Sequence, residues 1–198
     1  MSFKKFFLII VAIFIYSFSI AQTKSSTIEY DFKTHNKRIV GFVANIPKEF
    51  LGLNLISTSK QSFGLYFDFK IGLIQGYNTD DFYDNISVNK AENIYMDQLL
   101  KKNDSWVSIN VGLTKVVLKN LVLYGGSGIS FYSEYRQYKD EFEILGDNGK
   151  YWIENDDESK ITLNALGGFI IQIDPKFAFQ IGAESQPTGV TIGFGWFF

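Results

Sequence analysis

The stretch Gly189-Val190-Thr191-Ile192-Gly193-Phe194-Gly195-Trp196-Phe197-Phe198 closes the sequence, and its pattern decides how the rest is read. Counted back from the end, Phe198, Trp196, Phe194, Ile192 and Val190 are large and apolar. The residues between them are small or polar, Phe197 excepted. Side chains alternate across a β-strand, so this period of two predicts one wide apolar face and one nearly bare face. Lipid on one side and a narrow barrel lumen on the other would suit such a strand.

The same period runs backward through the chain. Phe177, Phe179, Ile181 and Ala183 oppose Ala178, Gln180, Gly182 and Glu184 in a seventh run, which follows an Asp174-Pro175-Lys176 turn. In the sixth, Lys160–Ile173, the residues Ile161, Leu163, Ala165, Phe169, Ile171 and Ile173 oppose Thr162, Asn164, Gly168 and Gln172. The fifth, Leu121–Ser133, centres on Gly125-Gly126-Ser127-Gly128, which implies close backbone approach or a tightly filled lumen. Lys119-Asn120 joins it to the fourth, Trp106–Leu118, where Val107, Ile109, Val111, Leu113 and Val117 oppose Ser108, Asn110, Gly112 and Thr114. Lys115 falls on the apolar face there, near the strand end, where a long side chain can reach an interface.

The third run, Ser62–Ile74, alternates most clearly. Phe63, Leu65, Phe67, Phe69, Ile71 and Leu73 oppose Gly64, Tyr66, Asp68, Lys70 and Gly72. Asp68 and Lys70 stand two apart, so they share the polar face and are placed to pair. A turn over Thr58–Gln61 precedes this run. The second strand is Phe50–Ser57, with Leu51, Leu53 and Leu55 outward. Pro47-Lys48-Glu49 separates it from the first, Ile39–Ile46, with Val40, Phe42, Ala44 and Ile46 outward.

Eight such runs joined by hairpins predict an all-β fold: a closed antiparallel up-and-down transmembrane barrel over 38–198. In hydrocarbon every backbone amide must be paired, so a spanning sheet has to close on itself. The connections sort by side. Three inner turns, near 58–61, 119–120 and 174–176, are short, whereas two outer loops, 75–104 and 134–159, are long and are expected to be extracellular. A short helix is expected around Ala91–Lys102. The second loop holds nine Asp or Glu against three Lys or Arg. Within it Asp147-Asn148-Gly149 is a hairpin turn, flanked by Phe142-Glu143-Ile144 and Tyr151-Trp152-Ile153.

Residues 1–21 read as a cleaved signal peptide. Lys4 and Lys5 precede an apolar run, Phe6–Phe18, too short to span a bilayer, and Ser19-Ile20-Ala21 places cleavage after Ala21. Residues 22–37 form a polar periplasmic lead-in, of which 27–32 is an optional extra strand. Removing Lys4 and Lys5 from 19 basic residues leaves 17 against 21 acidic ones, a net of −4 with no footprint for nucleic acid. The absence of cysteine removes disulfides, thiolate metal sites and a thiol nucleophile.

The C-terminal strand carries a resemblance. With terminal Phe198 preceded at alternate positions by Trp196, Phe194, Ile192 and Val190, the chain resembles the small outer-membrane β-barrels of the OmpA and OmpX type. That resemblance implies residence in the outer membrane among lipid and lipopolysaccharide. It also implies that these five residues are read by the barrel assembly machinery, a transient partner, and it carries no catalytic residues. A monomer is expected. The rival is a secreted, soluble barrel of lipocalin type that binds a small hydrophobic ligand, with apolar residues inside. The polar faces here are rich in Gly, Ser, Thr and Asn and poor in charge, which suits a tight lumen better than a wetted wall.

Chemistry is sparse. His35 is the sole histidine and precedes the first strand, away from any outer-leaflet site, so no catalytic group, cofactor or metal site is expected. Asp68, Lys70 and Glu184 are expected to line the lumen as a salt-bridge plug, because side chains just fill an eight-stranded barrel. Asp80-Asp81 and Asp156-Asp157-Glu158 lack the spacing of a calcium loop and read as solvated. The resulting expectation is a non-enzymatic outer-membrane protein with a structural or surface-interaction role carried by its long acidic loops.

Overall fold

The computed structural model describes residues 32–33, 35–46, 50–72 and 81–198. Eight strands follow one another: β1 Lys37–Ile46, β2 Phe50–Thr58, β3 Gly64–Gly72, β4 Gln98–Leu118, β5 Leu121–Lys139, β6 Lys150–Gln172, β7 Phe177–Ser185 and β8 Thr188–Phe197. Each pairs antiparallel with the next, and β1 pairs with β8 from Ile39↔Phe197 to Ile46↔Val190, closing the ring. Closure removes the edges that an open sheet would present. Residues 1–31, including the expected signal peptide and most of the optional extra strand, lie outside the described residues, as do 34, 47–49 and 73–80.

Around the wall the faces fall as the alternation predicts. Val40, Phe42, Leu53, Leu65 and Leu163 point outward and are exposed, whereas Val43, Asn54, Asp68, Asn110 and Gln180 point inward and are buried. Lys115 lies on the outer face at its strand end, with its ammonium 4.8 Å from the Phe63 ring centroid. The short turns 59–63, 119–120 and 173–176 gather at the end of the barrel where β1 begins and β8 finishes, here called the turn end.

Two expectations about the long loops are corrected. β4 begins at Gln98 rather than Trp106, and the expected helix over 91–102 is a single π-helical turn, Lys90–Ile94, separated from the strand by Tyr95, Met96 and Asp97. Likewise 134–159 is not mostly loop, for β5 runs on to Lys139 and β6 starts at Lys150. The strands β4, β5 and β6 therefore contain 21, 19 and 23 residues, against 9 or 10 in each of the others. The five shorter strands end at the rim, so these three continue past it as a projecting three-stranded sheet.

The hairpin turn is also re-paired. Tyr151, Trp152 and Ile153 pair with Tyr138, Gln137 and Arg136, not with 142–144. Asn148 and Gly149 both take positive φ, 54° and 70°, and Lys150 N–H donates to the Asp147 carbonyl at 3.1 Å. Residues 142–145 are drawn off the ladder by Asp140, whose carboxylate accepts from the backbone N–H groups of Phe142, Ile144 and Leu145 at 2.8, 2.8 and 3.1 Å. An acidic side chain that satisfies local amides offers the chain an alternative to strand pairing.

Candidate functional site

The barrel interior has two layers. Toward the turn end, Ile39, Ile56, Tyr66, Val122, Tyr124, Leu166, Ile170 and Ala178 form one buried apolar cluster with Phe32. Phe32 precedes β1, yet it is fully buried: its N–H donates to the Lys119 carbonyl at 2.7 Å and its ring sits 5.7 Å from that of Phe197. Lys37 holds its ammonium 5.0 Å above both rings and donates to Gln172 Oε1 at 2.7 Å. Phe197, the residue that breaks the terminal alternation, thus has a place as part of an apolar stopper.

Above this floor lies a charged network. Lys70 Nζ donates to Glu184 Oε2 at 2.6 Å and to Asp68 Oδ2 at 3.2 Å, with the side chains of Lys70, Asp68 and Glu184 fully buried. Asp68 also accepts from Tyr66 OH and from Asn110 Nδ2, each at 2.7 Å. Glu184 accepts from Asn45 Nδ2 at 2.5 Å and Asn164 Nδ2 at 3.1 Å. Each carboxylate therefore meets three donors, the condition under which buried charge is tolerated. Room for Lys70 comes from Gly52, its cross-strand partner, where a Cβ would stand 2.5 Å from Lys70 Cγ and collide with the Phe69 carbonyl.

A tyrosine pair joins the layers. Tyr66 and Tyr124 stack at 4.5 Å, and Gln180 Nε2 donates to both hydroxyls at 2.9 Å. Gln180 Oε1 in turn accepts from Asn54 Nδ2 at 2.6 Å. Asp68, Lys70 and Glu184 could be picked from the sequence by charge on a polar face. Their supports Asn45, Asn110, Asn164 and Gln180 occupy inward positions that the same alternation assigns, but carry no charge to mark them. Phe32 carried no signal, since it lies in a segment without period.

The projecting sheet has its own small core. Tyr138, Tyr151 and Ile153 pack on Ile86 and Ala91, flanked by Tyr83, Val88 and Leu145. Residues 83–97 thereby cover one face of the sheet. Glu92 on the π turn accepts from Tyr138 OH at 2.6 Å and Arg136 Nη1 at 2.9 Å, and Arg136 Nε donates to Glu134 at 2.8 Å. The Tyr138 hydroxyl bond, opposed by partial burial and assisted by Arg136, holds the Glu92 carboxyl below its usual range. Burial and the bond to Glu92 push the Tyr138 phenol up to about 12. Tyr151 OH donates to Asp97 Oδ2 at 2.6 Å.

His35 is exposed ahead of β1. Asp156, Asp157 and Glu158 are exposed in β6, where the register slips between Tyr132↔Lys160 and Glu134↔Asn155. Asp81 accepts from Asp147 N–H at 3.0 Å, and Asp80 lies outside the described residues. Among the described residues no group of three or more His, Asp or Glu is disposed to hold a metal ion. Val190, Ile192, Phe194 and Trp196 lie on the outer face of β8, and Phe198 follows it, its N–H donating to the Arg38 carbonyl at 3.1 Å.

No family model matches the chain, and no curated protein matches it. Solved structures do. The crystal structure of Ail, the attachment invasion locus protein of Yersinia pestis, matches with a TM-score of 0.51 at 15% identity, over 82% of this chain and 97% of that one. The backbone structure of the same protein in a phospholipid bilayer nanodisc gives 0.44 at 18%, covering 83% and 100%. The N-terminal β-barrel domain of Pseudomonas aeruginosa OprF gives 0.40 at 9%, covering 82% and 97%. At such identities what is shared is the fold, and the chain has the eight-stranded barrel fold of the OmpA/OmpX-like outer-membrane proteins.

Proposed function

We propose that this chain is an integral outer-membrane barrel without enzymatic activity, anchored by its wall and active through its projecting sheet. The observation that carries the reading is inverted polarity. Leu163 is 82% exposed, Leu65 66% and Phe42 59%, while Asp68 and Lys70 are fully buried in the lumen. In water this arrangement wastes burial at about 25 cal/mol per Å² of apolar area. In hydrocarbon the same wall is matched to its solvent, and paired backbone groups are all it needs. A lipocalin-type binder would keep an apolar cavity inside, but the space here is taken by the Lys70 network and the Phe32 stopper. Lipid and lipopolysaccharide would surround the wall, and the barrel would act as a monomer.

In this reading residues 1–21 are removed as a signal after Ala21. Val190, Ile192, Phe194, Trp196 and Phe198 serve as the mark read by the barrel assembly machinery. The surface role falls to 81–105 and 133–160, with the exposed acids Glu141, Glu143, Asp147 and Asp156–Glu158 meeting solvent and partners. Membrane fractionation with heat-modifiable gel migration tests the anchor. The expected result is recovery in the outer-membrane fraction, with a faster band that slows on boiling. Recovery as a soluble protein with no mobility change would reject the reading.

A further inference from the structure

The two ends of the barrel carry opposite charge. Beyond the rim, residues 81–105 and 133–160 hold 14 Asp or Glu against 7 Lys or Arg. The turn end is the reverse. Arg38 of β1, Lys60 in the β2–β3 turn, Lys115 of β4 and Lys176 in the β6–β7 turn are all exposed there. Asp174 is the one acidic side chain among the described residues of that end, and its carboxylate accepts from the Lys176 backbone N–H at 3.0 Å. Arg38, Lys60, Lys115 and Lys176 form no ion pair among the described residues. Cations gathered on one rim repel one another unless anions come from outside the chain.

Their placement says what kind of anion. Arg38 lies on the outer face of β1 with Val40 and Phe42, and Lys115 on the outer face of β4 with Leu113 and Val117. Lys115 holds its ammonium 4.8 Å from the ring of Phe63, itself exposed. Arg38 stands beside the exposed Phe198, whose N–H donates to the Arg38 carbonyl. Each thus sets a cation at the border of an apolar wall, where a long side chain reaches from hydrocarbon to headgroups. The four lie at separate places round the ring: on β1, between β2 and β3, on β4, and between β6 and β7. No single compact ligand touches all of them, whereas a leaflet of mobile lipids does.

We propose that Arg38, Lys60, Lys115 and Lys176 form a headgroup-binding rim that selects anionic phospholipids. The inference rests on the membrane reading above and adds to it the lipid class and the end of the barrel that takes it. A phosphatidylglycerol headgroup brings a phosphate with no cation of its own, so each contact with the rim is charge-assisted. The ammonium of a zwitterionic headgroup is repelled by the same side chains. Cations held at an anionic lipid surface add their attractions, and the effect fades within a Debye length. The acidic projecting end has no such match. The rim therefore holds the turn end against the more anionic leaflet.

The test uses the purified full-length barrel refolded into phosphatidylcholine vesicles, its folded state checked by heat-modifiable migration. The fraction of spin-labelled lipid restricted at the protein is measured for labelled phosphatidylglycerol and for labelled phosphatidylcholine. Both ends meet the same lipids in such vesicles, so location in the cell plays no part. The expected result is a preference for phosphatidylglycerol of about threefold or more at low salt, falling toward one in about 1 M salt. In Arg38→Gln/Lys60→Gln/Lys115→Gln/Lys176→Gln the preference falls to near one. In Lys101→Gln/Lys139→Gln/Lys150→Gln, which removes cations from the other end, it is kept. Equal restriction of both lipids by the native barrel, an unchanged preference in the rim variant, or its loss in the other variant overturns the proposal. Binding of soluble polyglutamate to the rim, with no lipid preference in vesicles, also overturns it and makes the partner an acidic polymer. A protein that restricts neither lipid rejects the membrane reading itself, a result distinct from restriction without preference.

Discussion

The barrel wall and the projecting sheet are built from the same strands, yet their side chains follow different rules. Within the wall, β4, β5 and β6 keep a period of two, apolar outward and small or polar inward except at the floor, where Val122, Tyr124, Leu166 and Ile170 turn in. Beyond it, the same strands carry Lys101, Lys102, Arg136, Lys139 and Lys150 among Tyr135, Tyr138, Tyr151 and Trp152. The wall has an apolar outer face and a filled lumen. The sheet has residues 83–97 on one face and, on the other, Lys101, Lys139 and Lys150 around the buried Trp152. A strand's sequence thus records its neighbours on both sides more than its own conformation.

The sharpest break between the two regions is expected at Lys70. Replacing it with Met leaves Asp68 and Glu184 buried without their cation. Removing one partner of a buried ion pair costs about 3–5 kcal/mol. The folded, faster-migrating band of Lys70→Met is expected to convert at lower urea and lower temperature than the native protein. The projecting sheet should keep its resistance to proteases up to that point. Simultaneous loss of both would show that wall and sheet unfold as one unit.

A smaller and more local effect is expected from Ile153→Ala. Ile153 is fully buried against Ile86 and Ala91 in the outer core. Truncating a buried Ile to Ala costs about 2–5 kcal/mol, and a core this small can relax, which favours the lower end. Protease cleavage within 81–97 should accelerate while heat-modifiable migration stays native. A variant that fails to reach the folded band at all would tie the sheet to barrel formation.

How much of this was legible follows from the same contrast. The wall strands are readable from Phe42, Leu65, Phe67 and Ile109 because a period of two with large apolar groups on one side leaves no ambiguity about face. The projecting parts of β4, β5 and β6 were read as loop because Lys101-Lys102-Asn103-Asp104 and Glu134-Tyr135-Arg136-Gln137 have no apolar face. Their pairing is secured by partners far along the chain, such as Ile86 for Ile153. In the lumen, the charged residues announced themselves by sign. The apolar floor did not, since Ile39, Ile56, Val122 and Ile170 place large apolar groups on the inner face, where the alternation leads one to expect small ones. Phe32 belongs to that floor through a contact with Phe197, and no local pattern encodes it.

The smallest effect concerns acid, and it falls on the sheet alone. Glu92 ties the π turn to Tyr138 and Arg136, and its carboxyl is held below its ordinary 4.5 by those bonds. A carboxyl whose folded value is depressed contributes stability above its unfolded value and loses it as pH falls through the folded one. The docking of 81–97 should therefore weaken as pH drops below about 4.5, and the change should be modest because the Glu92–Arg136 pair is partly exposed. Trp152 is 1% exposed, Phe82 bridges to it, and its carbonyl accepts from Tyr83 N–H at 2.9 Å, so loosening of this segment at 82–83 uncovers it. With Trp106 and Trp196 replaced by Phe, acrylamide quenching of Trp152 is expected to rise across that acid range. The rise should be absent in Glu92→Gln, which keeps an acceptor but cannot titrate. A rise of equal size in that variant would move the acid response to Glu134 or Asp140. Their carboxyls are also held low, against the opposing effect of burial, the first by Asn155 and Arg136 and the second by the three backbone amides that fold its loop.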